Sequence, residues 1–147
     1  MLKHAMGSGS RVCVWFAGAV IGMAQMALGG DGPPNAPMKV PMSSADGVQR
    51  ATVILDSYSY SPDHLIVEAG KPVELTLTSV TTITPHNFVI NDPAGGLSVE
   101  QDVGAGKTAV VKFTPARPGT FSIYCDKKLL FFRSHREKGM EGKLEVR

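Results

Sequence analysis

The sequence predicts an all-β domain, a sandwich or barrel of about eight short strands. Three observations lead there. From Arg50 onward, apolar and polar residues alternate in short runs with a period of two. Turn residues (Gly, Pro, Asp, Asn) break these runs at the spacing of a sandwich. No stretch of this region carries the 3.6-residue apolar period of a long amphipathic helix. The 147 residues are 43% hydrophobic and 19% charged, which suits one globular domain rather than a disordered chain. A formal charge of +2 implies no strong field for nucleic acid or for a membrane surface.

The N-terminus reads as an export signal. Lys3, His4 and Arg11 form a positive region, and Val12 to Leu28 is an apolar run without a charge. Ala27-Leu28-Gly29 puts small residues at the −3 and −1 positions of a cleavage site, so residues 1–29 are expected to be a signal peptide. The alternative is an uncleaved anchor, because the run with Gly29 and Gly30 is about long enough to span a bilayer. Either way the expected location is periplasmic or otherwise exported, with no membrane insertion once the signal is removed. Cys13 lacks a Leu three residues before it, which argues against lipidation. Cleavage leaves Cys125 as the only thiol, so no internal disulfide can form, and that thiol is either free or occupied. A metal occupies a thiolate naturally.

Residues 30–49 are rich in Gly, Pro, Ser and Asp without a hydrophobic period and read as a flexible linker. Met38 and Met42 could make a weak copper(I) contact there; an ordinary linker is the simpler reading. The folded domain is expected over residues 50–147. Ala51–Leu55 alternates, and Ser61-Pro62-Asp63 is a turn before a short strand at His64–Val67. After Ala69-Gly70-Lys71-Pro72, Val73–Val80 alternates cleanly. His86–Ile90, Leu97–Val103, Thr108–Phe113 and Thr120–Cys125 follow, and Gly142–Val146 closes the chain. Ser134-His135-Arg136-Glu137 has capping-box spacing, so one helical turn is expected after Cys125. Phe88, Phe113 and Phe121 read as core, and His64 as a surface residue. Phe131 and Phe132 fit either core or an exposed lid.

The chemistry concentrates in Tyr124-Cys125, nine residues, His135, four residues, Met140, with Thr84-Pro85-His86-Asn87-Phe88 upstream. Taken singly, a strand-end Cys is a small buried hydrophobe, and a lone His or Met means little. Together they offer one thiolate, two imidazoles and one thioether, the ligand set of a mononuclear blue-copper centre. Gly139 relaxes the backbone before Met140, and Gly142 is expected to do the same before the last strand.

The "HNF" opening a middle strand, the aromatic-rich "GTFSIYC" strand, the His- and Met-bearing loop and the final "GKLEVR" strand resemble the cupredoxin family over residues 50–147. The resemblance implies a cupredoxin-like Greek-key β-sandwich holding one copper per chain, with His86, Cys125, His135 and Met140 as ligands. It also implies that the backbone N–H of Asn87 donates to the Cys sulfur while its side chain ties the ligand loops together. The nine-residue insert before His135 is longer than in the small electron carriers of that family and nearer to the type-1 domain of copper nitrite reductases. It puts Leu129, Leu130, Phe131 and Phe132 over His135, with Lys127, Lys128, Arg133 and Arg136 around them. An apolar patch with a charged rim suits a transient partner.

The expected function is therefore single-electron transport between redox partners that dock near the His135 loop. The alternative is copper storage, delivery or resistance, suggested by the Met-bearing arm and the long loop. No enzyme activity is expected. A second catalytic copper needs several more histidines, and after signal removal only His64 remains beyond the ligands. A dinuclear thiolate-bridged site needs two Cys. A catalytic Cys125–His135 pair would leave His86 and Met140 unexplained.

Overall fold

Alternation becomes architecture in a computed structural model, which describes residues 36–41 and 45–147. The expected signal peptide (with Cys13), the start of the linker and Met42 lie outside the described residues. The strands are β1 (Met38–Lys39), β2 (Gln49–Asp56), β3 (Ser59–Ser61), β4 (His64–Val67), β5 (Val73–Ser79) and β6 (His86–Asp92). After them come β7 (Leu97–Val103), β8 (Thr108–Phe113), β9 (Gly119–Tyr124) and β10 (Glu141–Val146). One 3₁₀ turn, Arg136–Lys138, lies between β9 and β10.

The strands form two sheets, β1-β4-β10-β9-β6-β7 and β3-β2-β5-β8. The chain changes sheet repeatedly, so strands distant in sequence lie side by side, β4 along β10 and β6 along β9 among them. The period-two pattern is what glues the layers. Val73, Leu75 and Leu77 of β5 point inward with Val53 and Leu55 of β2. They meet Phe88, Ile90, Phe121, Ile123, Leu144 and Val146 in one core. Each such fully buried side chain contributes about 1.5–3 kcal/mol relative to exposure.

Among the described residues ten strands replace the expected eight, because β1 and β3 are two and three residues long and too short to show a period. The fold also starts earlier than Arg50. Part of the expected flexible linker lies against the larger sheet: Met38 and Lys39 pair in parallel with Leu65 and Ile66. Val40 is buried and its N–H donates to Ile66 O at 2.9 Å. His64 is not the free surface residue expected. Its ring is largely covered, with Nε2 3.0 Å from Glu145 Oε2 across the β4–β10 pair. Among the described residues no helix is long and apolar enough to cross a membrane.

Gly142 matters for a different reason than expected. It does not need an unusual φ; a Cβ there would come within 2.5 Å of Asp63 O, beside the 2.7 Å bond from Lys143 N–H to that same oxygen. Gly142→Ala should cost about 1–3 kcal/mol by forcing β4 and β10 apart. A denaturant midpoint unchanged from the parent would contradict this close approach.

Candidate metal centre

His86 opens β6, which runs between β7 and β9 and whose first five residues are all buried. The parity that sends Phe88 and Ile90 into the core sends His86 the same way. Cys125 follows β9, where Phe121 and Ile123 set an inward parity that Cys125 continues. Val89 stands opposite Tyr124, so His86 and Cys125 come together at one end of the sandwich. His135 arrives from the loop after β9. Its Nδ1 lies 3.3 Å from Cys125 Sγ, and its ring centroid is 5.1 Å from that of His86. The donor atoms of His86, Cys125 and His135 all lie within 4.8 Å of one another.

Met140 is fully buried, and its backbone links the other two loop residues. Cys125 N–H donates to Met140 O at 3.2 Å, and Met140 N–H donates to His135 O at 3.0 Å. Gly139, just before it, sits at φ 100, where glycine is favoured. The capping box forms: Ser134 N–H and Oγ both reach Glu137 Oε2, and Glu137 N–H donates back to Ser134 Oγ. His135 is thereby carried on the entry of the 3₁₀ turn.

Asn87 makes the bonds expected of it. Its N–H donates to Cys125 Sγ at 3.4 Å, its Nδ2 donates to Asp126 Oδ1 at 2.8 Å, and Asp126 N–H donates to Asn87 Oδ1 at 3.1 Å. Two further residues escaped the sequence. Tyr60, buried on β3, donates its hydroxyl to Asn87 O at 2.6 Å and so braces the peptide next to the sulfur. Tyr58, at φ 66, sets its ring edge-on to His135 at 5.0 Å, with Lys138 Nζ 2.9 Å from its hydroxyl. Nothing local in Ser57-Tyr58-Ser59-Tyr60 announces contacts made 27 and 77 positions away.

The long insert does not stretch the site. His135 N–H donates to Lys127 O at 2.9 Å, closing the loop at its neck, and residues 128–134 stand out beyond it. Leu129, Leu130, Phe131 and Phe132 are all exposed, which decides for the exposed reading of the two Phe.

Burial holds His86 below the ordinary imidazole range, and the neighbouring His135 adds to this. Burial and then Lys138 do the same to His135. Burial pushes the Cys125 thiol up, against the pull of the Asn87 and Lys127 backbone N–H groups. The protein alone thus favours two neutral imidazoles beside a thiol. Both nitrogens of His86 are buried without a hydrogen-bond partner. Such a group is costly to seal away unless a ligand satisfies it. A soft thiolate with two neutral imidazoles suits copper.

A family model described as a cupredoxin-like domain matches residues 23–144. The chain belongs to the cupredoxin-like family. It is 28% identical over 102 residues to plastocyanin from Dryopteris crassirhizoma, covering 62% of this chain and 90% of that one. Its fold is similar to that of the metal-binding domain of the Streptococcus pneumoniae D39 Cu(I)-exporting P-type ATPase, solved with Cu(I). The TM-score is 0.56 at 20% identity, over 76% of this chain and 96% of that one. It is also similar to reduced auracyanin from Roseiflexus castenholzii, with TM-score 0.55 at 18% identity, over 67% and 96% of the two chains. This cupredoxin thus has a copper-binding fold, and its His-Cys-His cluster fits that metal.

Two outcomes follow from the cupredoxin site. Tyr60→Phe leaves Asn87 O buried without its donor and should cost about 1–3 kcal/mol by denaturant titration; a loss below a few tenths would show that Tyr60 braces nothing. In the metal-free protein the folded imidazoles sit below their unfolded value of 6.5. The unfolded chain then takes up protons first, so stability present above pH 6.5 is lost as pH falls through the folded values. The melting temperature of the metal-free form should drop between pH 7 and about pH 5, and a flat profile would contradict the neutral-imidazole site.

Proposed function

We propose that this cupredoxin is an exported, periplasmic carrier of single electrons, with one copper per chain held by His86, Cys125, His135 and Met140. Bound copper supplies a one-electron Cu(II)/Cu(I) couple. The observation that carries the reading is the assembled, buried donor cluster, in which three donor atoms already stand within 4.8 Å of one another. A carrier works fast when its ligands barely move between oxidation states, and here the scaffold holds them.

Each residue has a separate task. His86 is locked on a central strand and presents two unpartnered nitrogens. Cys125 would hold the metal as a thiolate, which the N–H of Asn87 at its sulfur would steady. Met140 is fixed by its backbone between Cys125 and His135. His135 alone of these lines the surface hollow shared by Tyr58, Pro85 and Leu129, so its edge offers the short path to a redox partner docking there.

Two observations weigh against storage or delivery. Met38 of the expected arm pairs in β1 and packs on the core rather than presenting a free thioether. The donors, moreover, are set in a rigid frame. An enzyme reading lacks ligands: His64, the one further histidine of the described residues, is engaged by Glu145.

The copper-loaded protein should show a visible thiolate-to-Cu(II) charge-transfer band and a fast, reversible couple, and Cys125→Ser should abolish the band. A colourless copper-loaded protein would falsify the reading. Tight Cu(I) binding with slow electron self-exchange would favour copper delivery instead.

A further inference from the structure

Beyond the neck at Lys127 and His135, the insert forms an apolar tip. Phe132 N–H donates to Leu129 O at 3.0 Å, and Leu130 at φ 48 turns the chain between them. The four side chains of Leu129, Leu130, Phe131 and Phe132 are 66%, 74%, 86% and 53% exposed, and the two Phe rings lie 5.2 Å apart. Ile83, 87% exposed, lines the hollow beneath the tip together with Leu129 and Phe132. Four successive large apolar residues held in water are not a solvated turn; they mark a contact surface.

The charges say which kind. Lys127 and Lys128 precede the tip and Arg133 follows it, and Lys128, Arg133 and Lys138 line the same hollow. From Asp126 to Glu141 there are five Lys/Arg against three acids, and Glu141 is paired with Arg136. Asp126 accepts from Asn87, and Glu137 accepts from Ser134. Asp102, from the neighbouring strand, offsets Lys127 at 2.6 Å. Lysine is depleted from the buried cores of protein interfaces. A protruding apolar tip with cations at its base is instead the arrangement that enters a lipid interface, where Lys and Arg stems lie along the apolar zone and their heads reach phosphate.

We infer that the Leu129–Phe132 tip inserts into the surface of a bilayer containing anionic phospholipid. This departs from the expectation that the processed chain has no membrane insertion, though it is a loop contact and not a span. The His135 edge would then face the lipid surface, within reach of a redox partner embedded there. That last consequence rests on the proposed electron-carrier function; the insertion itself does not.

The test uses residues 30–147, the chain left once the expected signal peptide is removed; Trp15 leaves with that peptide, so Phe131→Trp supplies the one tryptophan. Phosphatidylcholine vesicles with and without phosphatidylglycerol are added. With the anionic vesicles, the loop Trp emission should shift to the blue and be quenched by lipids brominated on their acyl chains. Added salt should weaken both effects. In the parent chain, Leu130→Ser with Phe131→Ser should lower partition onto the anionic vesicles at least about tenfold. Emission unmoved by anionic vesicles, or moved equally by neutral ones, overturns the proposal. So does a tip that stays in water beside vesicles while Phe131→Ser slows electron transfer to a soluble acidic protein, which would make the surface a protein dock. The visible copper band, read on the same samples, reports on the metal site independently.

Discussion

His86 sits at the end of a closed core with neither ring nitrogen hydrogen-bonded, and most of the site's construction answers to that fact. An imidazole in such a place is tolerable only when neutral and only when something else satisfies it. The cost is met by the apolar contacts that seal β6 between β7 and β9. Cys125 is buried as deeply, but its sulfur has partners in two backbone N–H groups that steady it. A softer frame would let the His86 ring turn and find partners among backbone carbonyls or water. The packing of the sandwich is what holds that ring in place.

The bracing extends outward in a chain. Tyr60 holds the Asn87 carbonyl from the other sheet, and Asn87 holds both the sulfur and Asp126, the first residue of the loop. Both sheets therefore have a hand on one residue beside the sulfur, Asn87, so slippage between layers would register at the site. Hydrogen bonding around a ligating sulfur is one of the levers that set a copper potential. Here the bonds around the Cys125 sulfur are anchored in both sheets.

Much of this was legible in the sequence wherever a local signal existed. The alternation of Val73–Val80 and Leu97–Val103 located strands to within a residue or so. His86, Cys125 and His135 stand out by residue type and order, Asn87 only through the family resemblance, and the structure gathers them into one place. What stayed hidden depended on long-range pairing. β1 is two residues long and exists only because β4 offers an edge. His64 looked idle because Glu145, its partner, lies 81 positions away. Gly142 is expected from the sequence to relax the backbone before the last strand, yet its role is to let a carbonyl from Asp63 come close. Loop length is silent in the same manner: the count of nine residues between Cys125 and His135 says nothing about where the slack is stored.

That slack is stored outside one hydrogen bond. Lys127 O and His135 N–H close the loop at its base, so the segment 128–134 begins and ends at nearly the same point in space. Such a segment behaves as a cassette. The entropy of closing a loop grows only slowly with its length, so residues added or removed beyond the base change little thermodynamically. The centre and the tip can then vary on separate schedules, one constrained by metal chemistry and the other by whatever it touches. Replacing the tip with the surface of another protein would give this domain a new address while its donors stayed where they are.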